Sequence, residues 1–281
     1  MRSSAAVFSV LACSAALIGA AALLPSTARS ETVSVDLELV LAVDVSGSVD
    51  EVEADQQRQG YLNALVHPGV IAAIEGGENG RVAMVYIEWA GAEYQRVIAD
   101  WHLIDGADSA RTFADTIRQQ PVTTAYWTSI SNVIDYATRL FETNGYTGTR
   151  RAIDISGDGV NNRGGLVHSA RDRAVAAGFT INGLPILNDR PQPYGGPTPL
   201  QVNLDQYYVD NVIGGTDAFI EIAEGFEAFP AAILRKLIKE IAAYQPRTGF
   251  PDSTPALALS THETAGEQAT NAFSMRYFRY Q

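Results

Sequence analysis

Cysteine is almost absent: Cys13 is the only one in 281 residues. It sits inside an apolar run over 5–24 that follows Arg2, carries no charge and ends at Pro25-Ser26-Thr27-Ala28. Such a segment reads as a secretory signal peptide over 1–28, cleaved after Ala28, although Ala28 and Ser30 also fit as the small residues of the cleavage site. A retained membrane anchor is the alternative, because the run approaches the roughly 20 residues that cross a bilayer. Val10-Leu11-Ala12-Cys13 comes too early for a lipoprotein cleavage box, and the apolar stretch continues past it. Once the segment is cleaved no cysteine remains, which excludes disulfides, thiolate nucleophiles and cysteine-ligated zinc or iron–sulfur centres.

Basic charge is scarce as well. Lys236 and Lys239 are the only lysines, and 20 Lys and Arg face 32 Asp and Glu for a net charge of −12. This balance argues against nucleic acid as a partner. An acidic surface in a periplasmic or extracellular compartment suits divalent cations better than phosphates. No lysine is placed for a Walker A loop. No Gly-x-Ser-x-Gly elbow exists, since Asp154 stands where Ser156 would need the first glycine. The four histidines, His67, His102, His168 and His262, are scattered without metal-ligand spacing and read as surface or structural residues. With 46% hydrophobic residues the chain is too apolar for disorder, which leaves one globular domain over 33–244 and a Thr/Ser/Ala/Gly-rich tail over 245–281.

What is present is an alternation of strand and helix signals. Leu39-Val40-Leu41-Ala42-Val43 is apolar on both faces, as in the centre of a parallel sheet. Ser48 with Glu51 offers a capping box for a helix that His67-Pro68-Gly69 stops. Two buried runs, 81–89 and 94–101, are joined by only four residues, which predicts an antiparallel hairpin at a sheet edge. A helix over 108–119 precedes a Pro/Thr-rich loop at 121–128. Ile130, Val133, Ile134, Ala137, Leu140 and Phe141 then mark one helix face. A strand at 151–155, a helix over 166–177, a strand at 179–184, a helical turn near 204–212 and a strand at 218–223 follow. The last helix runs from Pro230 to Tyr244, with Ile233, Leu234, Leu237, Ile238 and Ile241 inward and Arg235, Lys236, Lys239 and Glu240 outward. The Pro/Gly-rich stretch 188–203 reads as a surface excursion. Together these elements predict an α/β fold with helices on both faces of a mostly parallel sheet.

In such a sheet, ligands bind beyond the carboxyl ends of the strands. The first strand ends in Asp44-Val45-Ser46-Gly47-Ser48, and a later one in Ser156-Gly157-Asp158-Gly159. Between them in sequence, Tyr126-Trp127-Thr128-Ser129 opens a helix. Asp154-x-Ser156-x-Asp158-Gly159 is no EF-hand loop, because its twelfth position is Gly165 where a bidentate Glu is needed. Trp89, Trp101 and Trp127 read as core or rim aromatics, Trp127 being the one beside Thr128 where a partner would reach it. Glu88 is left outside the site.

Asp-x-Ser-x-Ser after a buried strand, a threonine at a helix start and Ser-Gly-Asp-Gly after a later strand resemble a von Willebrand factor A (VWA) domain. The resemblance covers about 35–244. A closer likeness is to an uncharacterised family of secreted bacterial proteins with this domain, which also shares the segment from Tyr207 to Gly215. It implies a Rossmann-like fold with one antiparallel edge strand and a metal-ion-dependent adhesion site (MIDAS) built from Asp44, Ser46, Ser48, Thr128 and Asp158. Many relatives have Gly where this chain has Trp127, and Thr-Asp-Gly where it has Gly157-Asp158-Gly159, which keeps Thr123 and Thr124 open as substitutes for Thr128.

The donor set suits Mg²⁺, with Mn²⁺ or Ca²⁺ as alternatives, because small hard cations take oxygen ligands and Mg²⁺ retains waters. In the family, a partner's acidic side chain completes the coordination. The resemblance therefore implies a protein-binding module of the cell envelope and no enzyme. Two alternatives remain: a metal-dependent hydrolase with Asp50, Glu51 or His168 as base, and a domain whose metal only stabilises the fold.

Overall fold

A computed structural model describes residues 32–189, 198 and 201–242. The expected signal peptide, the tail over 245–281 and most of the 188–203 excursion lie outside the described residues. The chain divides into units 1–244 and 245–281, and all described residues belong to the first. Among them, no helix is long and apolar enough to cross a membrane.

Five strands form the sheet: β1 (Val33–Asp44), β2 (Val82–Trp89), β3 (Gln95–Ile104), β4 (Tyr146–Gly157) and β5 (Thr180–Pro185), in the order β3-β2-β1-β4-β5. β1 pairs in parallel with both β2 and β4, and β3 is the antiparallel edge that the short connection predicts. From residue 35 onward β1 is buried throughout, so its continuous apolar run is what a central strand requires.

Helices α1 (Glu51–Leu65), α2 (Pro68–Glu75), α3 (Ala107–Arg118) and α7 (Phe229–Ala242) cover one face. The other is covered by α4 (Ile130–Leu140), α5 (Val167–Ala176), the short α6 (Leu204–Tyr207) and a π-helical turn, Tyr208–Val212. The chain leaves β1 towards β2 on one side, and β4 hands on to β5 on the other. The crevice past the carboxyl ends of β1 and β4 is therefore the switch point where such sheets bind ligands.

Four local expectations are corrected. Asp50, not Ser48, caps α1: its carboxylate accepts from Glu53 N at 2.9 Å while Glu53 Oε2 accepts from Asp50 N at 3.0 Å. The box moves two residues on because Ser48 is engaged elsewhere. His67-Pro68-Gly69 ends one helix but also starts α2, since His67 Nδ1 accepts from Gly69 N at 3.0 Å and Pro68 fits a first turn.

The strand expected at 218–223 is reduced to two isolated bridges, Gly183 in β5 to Ile220 and Ile186 just past β5 to Ala223. Its ladder runs from Gly183 N to Phe219 O, Glu221 N to Gly183 O, Ala223 N to Pro185 O and Leu187 N to Ala223 O. The missing rung is the N–H that Pro185 lacks.

In α7, Lys236 and Glu240 point inward and are fully enclosed. The cause is Asp154, an acid placed in β4 beneath the helix. Its Oδ1 lies 2.6 Å from Lys236 Nζ, which is also 3.1 Å from Glu240 Oε2. Asn182 Nδ2 donates to Glu240 Oε1 at 2.6 Å.

Candidate metal centre

All five residues singled out by sequence meet at the switch point. β1 ends at Asp44, which pairs with Trp89 in β2, while Val43 pairs with Ser156 in β4. The loop after β1 turns at once, because Asp44 Oδ1 accepts from Ser46 N at 2.7 Å and Ser46 O from Val49 N at 2.8 Å. The Ser46 and Ser48 hydroxyls share a hydrogen bond of 3.1 Å, and Ser48 Oγ donates to Asp158 Oδ1 at 2.6 Å. Thr128 Oγ1 donates to Ser46 Oγ at 3.3 Å. Two carboxylates and three hydroxyls from three loops thus form one connected cluster, and Thr128, rather than Thr123 or Thr124, is the threonine bonded into it.

The threonine loop is held from several sides. Ala125 N donates to Val45 O, Gly91 N to Tyr126 O and Ser129 N to Ala90 O, at 2.8–3.0 Å. A Cβ on Gly91 would come within 2.7 Å of Tyr126 O, so that approach needs glycine. Asn162 clamps the threonine itself: its Oδ1 accepts from Thr128 N at 2.8 Å and its N donates to Thr128 O at 2.9 Å. At the loop's start, Arg58 donates to Gln120 O at 2.6 Å and Pro121 O at 3.2 Å while paired with the buried carboxylate of Glu88. Glu88 therefore anchors the loop from a distance and takes no direct part in the cluster.

Trp127 adopts φ 69°. This left-handed conformation costs a bulky residue on the order of 1–2 kcal/mol and suits glycine. The chain thereby sets an indole beside the site, with Arg163 Cζ 5.7 Å from the ring centroid.

Burial shapes the electrostatics. Asp44 is fully enclosed, and its carboxyl is pushed well above the usual range, first by burial and then by the charge of Asp158, against the Ser46 hydrogen bonds. Asp158 is raised to about 6, again chiefly by burial, with the Ser48 hydroxyl opposing and Glu53 adding. Two buried acids, one of which raises the other, are an arrangement a cation relieves.

Asp44 Oδ2 is buried and accepts no hydrogen bond. It lies against Gly157, where a Cβ would be 2.7 Å from it and 3.1 Å from Tyr208 Oη. Tyr208 is enclosed, its hydroxyl also without a hydrogen-bond partner and raised well above its ordinary value by burial and then by Asp44 and Asp158. The residues present fit a hard cation, an unsatisfied carboxylate oxygen and neutral hydroxyls being its usual donors. Among the described residues, no three His, Cys, Asp or Glu side chains converge on a common point, so hydroxyls have to supply part of any coordination.

Sequence reasoning missed Asn162, Tyr208 and Arg58. The one available signal was the segment from Tyr207 to Gly215, whose two tyrosines turn toward the site loops: Tyr208 as above, and Tyr207 through its hydroxyl, which accepts from Asn161 N at 3.3 Å.

A family model described as "Protein of unknown function (DUF1194)" matches residues 34–245. The chain belongs to this family. A search of curated proteins returns no match for this DUF1194 member. Its fold is that of a VWA domain. Similar solved structures include proximal thread matrix protein 1 from the mussel byssus, at 10% identity and TM-score 0.55 over 75% of this chain and 49% of the mussel chain. The pilus adhesin SpaC from Lactobacillus rhamnosus GG matches at 16% identity and TM-score 0.52, over 74% of this chain and 31% of its own. The conserved hypothetical protein BatB from Bacteroides thetaiotaomicron matches at 18% identity and TM-score 0.50, over 74% and 100%. The chain thus spans about half the length of the mussel protein. One structure of that mussel protein, at 11% identity and TM-score 0.51 over 75% and 48%, has a zinc-occupied MIDAS motif.

Proposed function

We propose that this DUF1194 protein is a secreted or periplasmic binding module. In it Asp44, Ser46, Ser48, Thr128 and Asp158 hold a divalent cation, Mg²⁺ before Mn²⁺ or Ca²⁺, that captures an acidic side chain of a protein partner. The observation that carries this reading is Asp44 Oδ2, a buried carboxylate oxygen without a hydrogen bond beside a second buried acid and three hydroxyls. The adhesin and the zinc-occupied MIDAS among the structural neighbours support it, and so does the apolar, signal-like segment over 5–24 for the compartment.

The bound ion would supply an electropositive point for an external carboxylate. The chain's own groups prepare that point. Ser46 N fixes one oxygen of Asp44, Asn162 fixes the backbone of Thr128, and Ser48 bridges to Asp158. The proposal is of binding and not of catalysis. Asp50 is engaged with Glu53 in the α1 cap, and Glu51 and His168 are exposed.

The test is a thermal-melt titration of chelator-stripped protein with Mg²⁺, Mn²⁺ or Ca²⁺. At a hundredfold excess over its dissociation constant a ligand adds about 2.7 kcal/mol, or about 5–10 °C for a domain of this size. Asp44→Ala and Asp158→Ala should each abolish the shift. An equal shift in wild type and both variants contradicts the proposed site.

A further inference from the structure

The rim of the site is chemically lopsided. Among the described residues eight large apolar side chains are exposed, and the only two aromatics in that set, Tyr126 and Trp127, stand together on the threonine loop. Tyr126 lies over Gly47, between the two site serines, with its Cδ1 3.8 Å from where a Cβ would sit. Leu166, 67% exposed, borders an open hollow of about 580 Å³ with Arg163 and Asn162. Arg163 in turn leans on Trp127.

The backbone of this shelf is tied to the threonine loop. Thr128 O accepts from Asn162 N and Arg163 N, and Ser129 Oγ donates to Arg163 O at 2.9 Å. A separate hollow of about 410 Å³ has the acids Asp50, Glu53, Asp189 and Glu227 in its lining, beside Val52 and Phe226. An acidic partner is repelled by those acids and drawn to Arg163.

Resting on the metal-dependent reading above, we infer that the partner is a protein segment in which the metal-bound Asp or Glu has a bulky apolar or aromatic neighbour within about three residues. That neighbour lies on the shelf of Tyr126, Trp127, Arg163 and Leu166. Exposed Trp, Tyr and Arg on a preorganised surface are the residue types that dominate protein interfaces. The left-handed backbone of Trp127 fits the same purpose, because glycine would occupy that conformation without strain but would present no side chain.

The experiment uses the signal-cleaved protein with saturating Mg²⁺ and a calorimetric panel of capped Gly/Ser peptides. Each carries one central Glu, with or without a Phe or Leu one to three residues to either side, and Glu→Gln controls are included. The best Glu-plus-Phe or Glu-plus-Leu peptide should bind at least tenfold more tightly than the Glu-only peptide. Trp127→Gly should erase that advantage, and Arg163→Ala should reduce it. The Mg²⁺-induced melt shift should survive in both variants, and the melting temperature of Trp127→Gly should stay within about 3 °C of wild type.

The inference is overturned if Trp127→Gly keeps the preference, or if no peptide outbinds the Glu-only one. It is also overturned if a galacturonate oligosaccharide outbinds every peptide, which would indicate an acidic glycan. Loss of the Mg²⁺ shift in the wild type would overturn the metal reading itself and the inference with it, an outcome distinct from the others.

Discussion

Lys236 is enclosed between two acids, with no part of its side chain reaching solvent. Burial pushes its ammonium down, but Asp154 and Glu240 more than offset this, so it stays charged. Lys236→Met leaves Asp154 and Glu240 buried without their cation. Breaking such a set from one side costs about 3–5 kcal/mol, which urea unfolding should register as a lower midpoint with unchanged slope. Adding Asp154→Leu to Lys236→Met should recover part of the loss, since an apolar pair needs no compensating charge.

Acid pH should act in the direction opposite to that of an ordinary salt-bridged carboxylate. Burial raises Asp154 from 3.8 to about 7, against the opposing charge of Lys236, and Asp158 from 3.8 to about 6. A raised pKa means that the fold favours the protonated form. This contribution is complete below about pH 4 and is lost as pH rises through 6 and 7. The melting temperature of metal-free protein, followed across this window, should therefore fall from these two groups, and Asp154→Asn should flatten the upper part of the decline. Mg²⁺ should restore progressively more stability over the same range, because it binds the deprotonated Asp158.

At the scale of elements, the sequence was most informative where local pattern and burial agree. β1, the β2–β3 hairpin and α4 are read directly from apolar runs and i, i+3, i+4 spacing. It misled where a tertiary partner decides. Lys236 and Glu240 look like an outer face until Asp154 in β4 is placed beneath them, and 218–223 looks like a strand until Pro185 removes a rung. The site divides the same way. Its donors lie in short motifs at strand ends and were legible, whereas Asn162 and Arg58 act on backbone atoms far away in sequence, which no local pattern records. Arg58 joins α1 and β2 to the start of the threonine loop. Arg58→Met should cost about 3–5 kcal/mol by stranding Glu88. Hydrogen exchange should quicken across 121–128, and the Mg²⁺ titration midpoint should rise; unchanged exchange there would show that the loop is held without Arg58.

For the molecule as a whole, two apolar cores clamp a sheet whose order reverses between β1 and β4, and the chain spends its buried hydroxyls and acids at that reversal. In a chain of net charge −12, a site that would take a carboxylate needs a cation to make the encounter favourable. The most direct measurement is the anomalous difference map of a crystal of the signal-cleaved protein soaked in Mn²⁺. If these residues hold the cation, one strong peak appears within coordinating reach of Asp44, Ser46, Ser48, Thr128 and Asp158 and is absent in Asp44→Ala crystals. A peak instead among Asp50, Glu53, Asp189 and Glu227, or none at saturating Mn²⁺, would contradict that assignment.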